Sequence, residues 1–334
     1  MVYNKHMMNS QEKKDFLAFR IRNIFINNRE TPYTRQDFID FFRFDKQTDV
    51  QNVLKSLLEE GVIKKSSGRP VLYSFNKIRT RNTSAFDSLY SQIDPHMTFG
   101  VEFEFGSHLY ESDIREALEE AGFDCFSDKT RFSPGIAPFS KWTVTSDSSI
   151  SVLGYEHDVE VISPILKGEE GLREIKRMTD FLNQLKRMKL IKQNNTCGTH
   201  VHHSAKKFCA ITKLIRFAEK AQPAMNEYVH KSRALSDDKI SLLDMDAYCA
   251  PIKKEKYLVG RKLKKFHEKY LNLNISKYAG CGTVEFRQLH GSTDFRTIAQ
   301  WIVLNQRIIR HSFRYREAMS FDNMNQLKSF LEVA

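Results

Sequence analysis

Two glutamates in the segment GVEFEFG (100–106) could carry chemistry, because Glu102 and Glu104 alternate with Val101 and Phe103. An alternation with a period of two is typical of a β-strand, whose side chains point to opposite faces. The two carboxylates therefore share one face and lie about 7 Å apart by strand geometry. Taken alone, such a pair is also typical of an edge strand whose polar face meets water.

Four further segments repeat this arrangement, with ionisable or polar groups on one face and apolar groups on the other. Any one of them alone is ambiguous, since a single HxH or ExR pair is more often structural or exposed than catalytic. Together they predict an antiparallel sheet with helices on its apolar face and a cleft on its charged face. The polar residues are Thr143, Thr145 and Asp147 in WTVTSDSS, Asp158 and Glu160 in HDVEVISP, His200 and His202 in CGTHVHHSA, and Glu285 and Arg287 in GTVEFRQLHG. In the run HVHH, strand parity predicts that His200 and His202 face the cleft and that His203 does not.

A face with four or five carboxylates needs a counter-charge, because crowded like charges raise their pKa values and destabilise the site. A divalent cation would supply it. Oxygen donors in this number suit Mg²⁺ or Mn²⁺, and histidine among them favours Mn²⁺ slightly. Magnesium held by a few carboxylates most often holds phosphates. Basic groups that could bind phosphate oxygens are Arg287, Arg233 and the GRKLKKFHEKY run (260–270), which includes Arg261. The sequence has no Walker A or Rossmann glycine pattern, so a bound nucleotide would lie on the sheet.

Amphipathic stretches predict the helices that cover the apolar face of this sheet. Two of them are long, at 169–190 and at 207–233, and their apolar stripes are interpreted as core. A last helix is predicted from about residue 294 in FRTIAQWIVLNQRIIRHSF, with Asp294 as its N-cap.

The first 80 residues predict a small module of three helices and a hairpin. The helices are predicted at 10–28 with Ser10 as N-cap, at about 34–43 and at about 46–60, and VIKKSSGRPVLYSF predicts the hairpin. This order resembles winged helix-turn-helix modules, whose third helix enters the DNA major groove and whose hairpin contacts phosphate. The predicted third helix is only mildly basic, so DNA contact and protein contact both stay open as roles of this module. Residues 81–95 are predicted to be a polar linker.

The composition is that of a globular protein with a substantial core, at 41% hydrophobic and 12% aromatic residues. Residues 1–83 hold 16 Lys/Arg against 9 Asp/Glu, which is +7 of the net charge of +11, so a basic module precedes a nearly neutral body. Five scattered cysteines without a CxxC pair indicate reduced thiols. No apolar run approaches the ~20 residues of a membrane span, and the N-terminus lacks a signal-peptide core. A soluble, cytoplasmic protein without membrane contact is therefore expected.

Five ordered segments resemble the amidoligases, members of the carboxylate–amine ligase superfamily that includes glutamine synthetase and glutamate–cysteine ligase. The segments are GVEFEF, WTVTSDSS, YEHDVEVISPIL, NNTCGTHVHHS and NLNISKYAGCGTVEFRQLHGSTDFRTIAQWIVL, and together they cover roughly residues 96–310. The SR at 232–233 and the YC at 248–249 also fit the family. The resemblance implies an α+β catalytic domain over 96–334, with an antiparallel sheet of glutamine synthetase type and helices on one face. The small winged-helix-like domain at 1–80 lies outside it.

The resemblance also implies an activity. ATP and Mg²⁺, or Mn²⁺, would serve a ligase that joins a carboxylate to an amine of an amino acid, peptide or protein side chain through an acyl phosphate. Arg287 would stabilise the transferring phosphoryl group, and Asp147 is included by its position only. The implied residues are Glu104, His200, His202 and Arg287 as catalytic groups, Arg287, Arg233 and Arg261 as nucleotide-binding groups, and Glu102, Glu104, Asp147, Glu160, His202 and Glu285 as metal ligands.

Two other functions would use part of the same residues. A metal-dependent hydrolase or nuclease would also need carboxylates, histidines and Mg²⁺ or Zn²⁺, and Cys197, His200 and His202 could form a zinc site. That interpretation leaves the glutamate-rich strands and Arg287 without a role. A DNA-binding regulator would combine the N-terminal module with a ligase-derived sensing domain.

Overall fold

Two large hydrophobic cores organise the protein. One lies in the N-terminal unit (residues 9–75) and the other in the body (residues 86–332). The body is α+β, with a large antiparallel sheet and helices. The computed structural model describes residues 9–42, 46–75, 86–126, 139–234, 249–260, 262–264 and 270–332.

The N-terminal unit contains the predicted helices and hairpin. Its elements are α1 (Ser10–Asn27), β1 (Tyr33–Thr34), α2 (Arg35–Phe41), α3 (Gln47–Glu59), β2 (Ile63–Lys65) and β3 (Leu72–Phe75). The three strands form an antiparallel sheet in the order β1-β3-β2. Helix α3 buries Val50, Val53, Leu54 and Leu57, which recur at helical spacing along one side of the helix.

The N-cap of α1 is Asn9, so the prediction of Ser10 was wrong. Asn9 Oδ1 accepts hydrogen bonds from the backbone N–H groups of Gln11 and Glu12 at 2.9 and 3.0 Å. The Glu12 carboxylate in turn accepts a bond from the Asn9 N–H at 2.9 Å. Because this reciprocal capping box already satisfies the first turn, Ser10 lies inside the helix as its first residue.

Helix α1 contributes to both cores. Ile21 and Phe25 on one side of the helix are buried in the N-terminal unit, whereas Phe16 and Phe19 are buried in the body. The Phe19 ring centroid lies 5.2 Å from that of Phe181. The N-terminal unit is therefore packed against the body through a shared helix.

The body contains eight helices and ten strands among the described residues. The helices are α4 (Asp87–Gln92), α5 (Glu111–Glu120), α6 (Gly168–Arg187), α7 (Ile211–Tyr228), α8 (Lys254–Tyr257), α9 (Tyr278–Cys281), α10 (Phe295–His311) and α11 (Met324–Leu331). The strands are β4 (Thr98–Ser107), β5 (Thr143–Ser146), β6 (His157–Ile162), β7 (Leu166–Lys167), β8 (Ile191–Lys192), β9 (Thr199–Ser204), β10 (Leu258–Val259), β11 (Lys262–Leu263), β12 (Leu273–Asn274) and β13 (Thr283–Phe286).

Eight of these strands form the main sheet, in the order β12-β13-β9-β4-β6-β5, with β7 and β8 also paired to β4. Strand β4 is central: it pairs with β9 on one side and with β6 on the other. Every pairing in this sheet is antiparallel. The strand with the two glutamates is thus an interior strand and not a wet edge.

One face of the sheet is buried in the body core, as the alternation predicts. Phe103 and Phe105 of β4 and Val161 of β6 are fully buried there. The helices predicted at 169–190 and 207–233 are confirmed as α6 and α7, the second being shorter at both ends. Asp294 caps α10 as predicted, since its carboxylate accepts a bond from the Thr297 N–H at 2.8 Å.

Part of the segment assigned to the linker packs into the body. Helix α4 places Leu89 and Tyr90 in the body core, while residues 76–85 lie outside the described part of the chain. All five cysteines are free, in keeping with the expected reduced thiols. Within the described ranges, no helix combines the length and apolarity that crossing a membrane requires.

Candidate active site

The register of the main sheet brings the predicted polar faces onto one surface. Residues directly opposite each other in an antiparallel pair have side chains on the same face, close enough to interact. This surface is called the polar face below. The opposed pairs that define it are Glu102 with His200, Glu104 with Glu160, and Glu285 with His202.

Glu102 lies at the centre of the polar face, between two histidines. Its Oε2 is 3.3 Å from Nδ1 of His200, and its Oε1 is 2.9 Å from Nε2 of His202. Burial by itself raises the pKa of the Glu102 carboxyl, but the charge of His202 and the hydrogen bonds from both histidines hold it well below its usual range. The Glu102 carboxylate is therefore ionised at neutral pH and could serve as a charged metal ligand.

Glu104 is buried and is held by the backbone of the neighbouring strand. The N–H of Gly198 donates to Glu104 Oε2 at 2.6 Å, and Nδ1 of His200 lies 3.3 Å from Glu104 Oε1. A Cβ at Gly198 would lie 2.4 Å from Nε2 of His200, so this close approach requires glycine. The sequence prediction missed Gly198, although its position two residues before His200 places it on the same face.

Glu285 is held by two side chains. Asn274 Nδ2 donates to its Oε2 at 2.6 Å, and the Arg287 guanidinium donates to its Oε1. Nδ1 of His200 lies 3.5 Å from the same Oε1. Asn274 was also missed; it lies directly opposite Glu285 in the pairing of β12 with β13. The alternation in NLNIS hinted at a short strand, but only the pairing shows what Asn274 contacts.

Glu160 and Asp147 extend the polar face on the far side of β4. One oxygen from each of Glu104, Asp147 and Glu160 lies within 4.8 Å of the other two. Burial and the negative charges of Glu102, Glu104 and Asp147 raise the pKa of Glu160 to about 9. Asp147, which was included only by position, is thus part of the cluster.

Among the described residues, three overlapping groups of metal-binding atoms could each hold a metal ion. Every group offers three donors within 4.8 Å of one another. Oxygen predominates and two groups include one imidazole, which suits Mg²⁺ or Mn²⁺. The groups are Glu102, Glu160 and His200; Glu102, His202 and Glu285; and Glu104, Asp147 and Glu160. Every residue predicted to ligate metal belongs to at least one of them.

His203 points away from the polar face, as parity predicts. Its ring is fully buried, with its centroid 6.0 Å from that of Phe286 and 6.4 Å from that of Phe99. Neither ring nitrogen has a hydrogen-bond partner among the described residues. Burial lowers the pKa of His203 to about 3, so the ring is neutral. The predicted orientation, with His200 and His202 on the polar face and His203 turned away from it, is confirmed.

Arg233 lies beside the site, and both terminal nitrogens of its guanidinium donate to groups inside the protein. Its guanidinium donates to Cys249 Sγ at 3.0 Å and to the carbonyl oxygens of Thr196 and Asn195 at 3.1 and 3.5 Å. The residue is buried, and these contacts fix the segment that leads into β9. The structure thus gives Arg233 a supporting position, and its phosphate contact stays a prediction. The predicted nucleotide contact of Arg261 lies outside the described residues.

Cys197 does not join the histidines. Its thiol contacts Asn194 Oδ1 at 3.5 Å and packs with Ile150 and Val152. Burial raises the pKa of this thiol. None of the potential metal-binding groups among the described residues includes a cysteine, so the alternative zinc site of Cys197 with His200 and His202 is not formed.

The fold and the site define an α+β protein that gathers carboxylates and imidazoles on one face of a helix-backed antiparallel sheet. A family model described as "Putative amidoligase enzyme" matches residues 95–309, more than half of the chain. The chain belongs to this amidoligase family, a family of ligase-type enzymes, as the five ordered segments predict. A search of curated proteins finds no match to the chain.

Proposed function

We propose that this protein is an ATP- and Mg²⁺-dependent ligase that joins a carboxylate to an amine. The substrate carboxylate attacks the γ-phosphorus of ATP, giving an acyl phosphate and ADP. The amine then attacks the acyl carbon and loses a proton, and phosphate leaves as the amide forms. The observation that carries the proposal is the convergence of five carboxylates and two imidazoles on one face of the sheet, within the segment that matches the family.

Two of the donor groups share no residue, and we assign a divalent cation to each. The donors fit this role because they are mostly carboxylate oxygens, and a positive charge would relieve the repulsion that raises the pKa of Glu160. When bound, Mg²⁺ neutralises phosphate oxygens and orients them for displacement. The two groups are Glu102, His202 and Glu285, and Glu104, Asp147 and Glu160.

We assign the nucleotide to a cavity of about 410 Å³ that opens beside the first of these groups. Glu102 and His202 form part of its wall, and Lys277 and Thr283 lie on the same lining. The volume is in the range of natural ligand pockets, which is about 300–1,000 Å³. This position would bring the phosphates to the cations, as in the glutamine synthetase-type sheet that the resemblance implies.

Arg287 would stabilise the charge of the transferring phosphoryl group. Its guanidinium is anchored on the Glu285 carboxylate and lies 6.0 Å from the centroid of the Tyr270 ring. Most of the side chain is buried, which weakens solvent screening of its charge. A permanently charged planar donor is thereby held beside the donor groups of the polar face.

The proposal is tested by incubating the protein with ATP, Mg²⁺ and mixtures of amino acids and peptides. We expect ADP release that requires both a carboxylate and an amine, with the amide detected by mass spectrometry. Glu104→Gln should lower the rate by about 100-fold or more, because residues that only support a metal ligand already contribute roughly 10–100-fold. Glu169→Gln is the matched control, since Glu169 is exposed on α6, away from the polar face, and pairs with Arg173.

The result that would contradict the ligase is cleavage of a substrate without ATP, lost in Glu104→Gln. That outcome would favour the metal-dependent hydrolase or nuclease instead.

For the N-terminal unit we propose a winged-helix module that contacts DNA or a protein. The order of its helices and its three-stranded antiparallel sheet support this proposal. Lys64 and Lys65 are exposed at the hairpin. A salt-dependent gel shift with the full chain, weakened in Lys64→Ala/Lys65→Ala, would support DNA contact. The absence of any shift at low salt would exclude DNA contact and leave protein contact as the role of the N-terminal unit.

A further inference from the structure

The chain that follows β13 departs from the regular register. Continuation of the β13–β9 pairing would set Leu289 opposite Gly198, but Gly198 pairs with His290. One extra residue is thus accommodated after Phe286, as in a β-bulge. The pairing is fixed by two backbone bonds, from the Thr199 N–H to the Leu289 carbonyl at 3.0 Å and from the Gly291 N–H to the Cys197 carbonyl at 2.9 Å.

This shift turns His290 toward the polar face. Leu289 is fully buried in the body core beneath the sheet, so the next side chain lies on the opposite face. Gly198 belongs to the polar face too, because a Cβ there would meet His200 and Glu104. The Glu104 N–H donates to the Gly198 carbonyl at 3.2 Å, which continues the row across the sheet. His290, Gly198, Glu104 and Glu160 therefore occupy one row across four neighbouring segments.

The His290 ring is partly buried, and one of its nitrogens is held by a backbone contact. The backbone N–H of His230 donates to its Nδ1 at 3.3 Å. In a neutral ring this contact leaves the proton on Nε2, which makes Nε2–H a hydrogen-bond donor. Burial, together with the positive charges of His230 and Arg233, lowers the pKa of His290 and favours the neutral ring.

We propose that His290 is a specificity-determining residue whose Nε2–H donates a hydrogen bond to an anionic oxygen of the carboxylate substrate. The inference rests on the proposed function. It assigns the row of His290, Gly198, Glu104 and Glu160, called the Glu104 row, to that substrate. The nucleotide cavity lies against Glu102 and His202, which leaves the Glu104 row for the carboxylate and the amine. Gly198, which lies between His290 and Glu104 in this row, is covered by the His200 ring and the Glu104 carboxylate.

Two substitutions distinguish the role of Nε2 from the role of Nδ1 in the His290 ring. The amide of glutamine can place its nitrogen where Nε2 lies, whereas that of asparagine reaches only as far as Nδ1. In the ADP-release assay, His290→Asn should raise KM for the carboxylate by about tenfold or more, the size expected for one hydrogen bond to a charged group. KM for ATP should change by less than about twofold, and His290→Gln should keep KM for the carboxylate within about threefold of the original value.

His230→Gln is the matched control, because it keeps the backbone N–H that contacts His290, and KM should not change. Unaltered KM values in both His290 variants would overturn the proposal. The proposal would also be overturned if KM for the carboxylate were unchanged in His290→Asn but raised in His290→Gln. That pattern would mean that only Nδ1, through its contact with the His230 N–H, matters. An unsubstituted protein that releases no ADP with any carboxylate and amine would overturn the ligase function itself, whereas an active protein with unaffected variants removes only the role of His290.

Discussion

Single residues set the electrostatics of the polar face. Glu102 is kept ionised by two histidines, while Glu160, which faces three other carboxylates, is kept protonated at neutral pH. Neighbouring carboxyls whose pKa values lie on opposite sides of neutrality are typical of functional sites. The cost of crowding falls when a cation binds, so the free energy of unfolding should depend on Mg²⁺.

Glu160→Gln should stabilise the metal-free protein and reduce its stabilisation by Mg²⁺. Burial and three negative charges raise the pKa of Glu160 to about 9 in the folded state. The unfolded state therefore loses this proton at a lower pH than the folded state does. The free energy of unfolding therefore falls as pH rises from about 5 to about 9. In EDTA at about pH 8 the variant should melt about 2 °C or more above the original protein.

At about pH 4 that difference should disappear, because the carboxyl is protonated in both states. Thermal denaturation followed by circular dichroism, with EDTA and with Mg²⁺, measures both effects, and Glu169→Gln serves as the control. A variant that melts below the original protein in EDTA would contradict the repulsion. Undiminished stabilisation by Mg²⁺ would contradict the role of Glu160 as a ligand.

Gly198→Ala should disrupt the site from the backbone side. The new Cβ would lie 2.4 Å from Nε2 of His200 and 3.3 Å from Oε2 of Glu104, so both side chains must move. We expect Mn²⁺ affinity, measured by calorimetry, to fall by about tenfold or more. Gly280→Ala is the control, because a Cβ there meets nothing within 4 Å. Equal affinity in the two variants would show that the glycine is not needed.

At the scale of elements, strand β9 places two adjacent histidines, His202 and His203, on opposite faces of the sheet. His203→Leu should leave ADP release within about threefold and stability equal or higher, because two buried nitrogens without partners are replaced by an apolar group. His202→Leu should lower cation affinity by about tenfold or more. Activity and melting temperature of the two variants test this. Loss of activity in His203→Leu with an intact fold would contradict the parity assignment.

Helix α1 couples the two cores through a buried ion pair. The Arg20 guanidinium donates to the Glu120 carboxylate at 2.7 Å and lies 4.8 Å from the centroid of the Phe42 ring. Arg20→Ala should lower the free energy of unfolding by about 2–4 kcal/mol, since it leaves Glu120 largely buried without its partner. Arg22→Ala, whose partner Glu60 is exposed, should lower it by less than about 1 kcal/mol.

Urea denaturation of both variants measures these free energies. Equal values for Arg20→Ala and Arg22→Ala would show that the ion pair does not hold α1 against the body.

At the scale of the whole molecule, the shared helix predicts joint unfolding. Because Phe16 and Phe19 complete the body core while Ile21 and Phe25 complete that of the N-terminal unit, neither core is intact without α1. Differential scanning calorimetry should show one transition whose calorimetric and van't Hoff enthalpies agree. Two separate transitions would mean that the N-terminal unit unfolds independently.

The sequence by itself determined which side chains share a face. Strand parity is local, because successive side chains alternate whatever the strand pairs with. For this reason the carboxylates, His200 and His202 could be assigned to the polar face, and His203 to the core, before any pairing was known. The amphipathic helices and the family followed from equally local patterns.

Only the tertiary structure decided which of these groups meet. The register that sets Glu285 opposite His202 and the bulge that turns His290 toward the polar face join strands far apart in the chain, and short segments carry no signal for such pairings. The same holds for Arg233, whose partners come from separate segments. Helix α1 shows this at the largest scale: the sequence predicted the helix, but only packing divided its apolar residues between two cores.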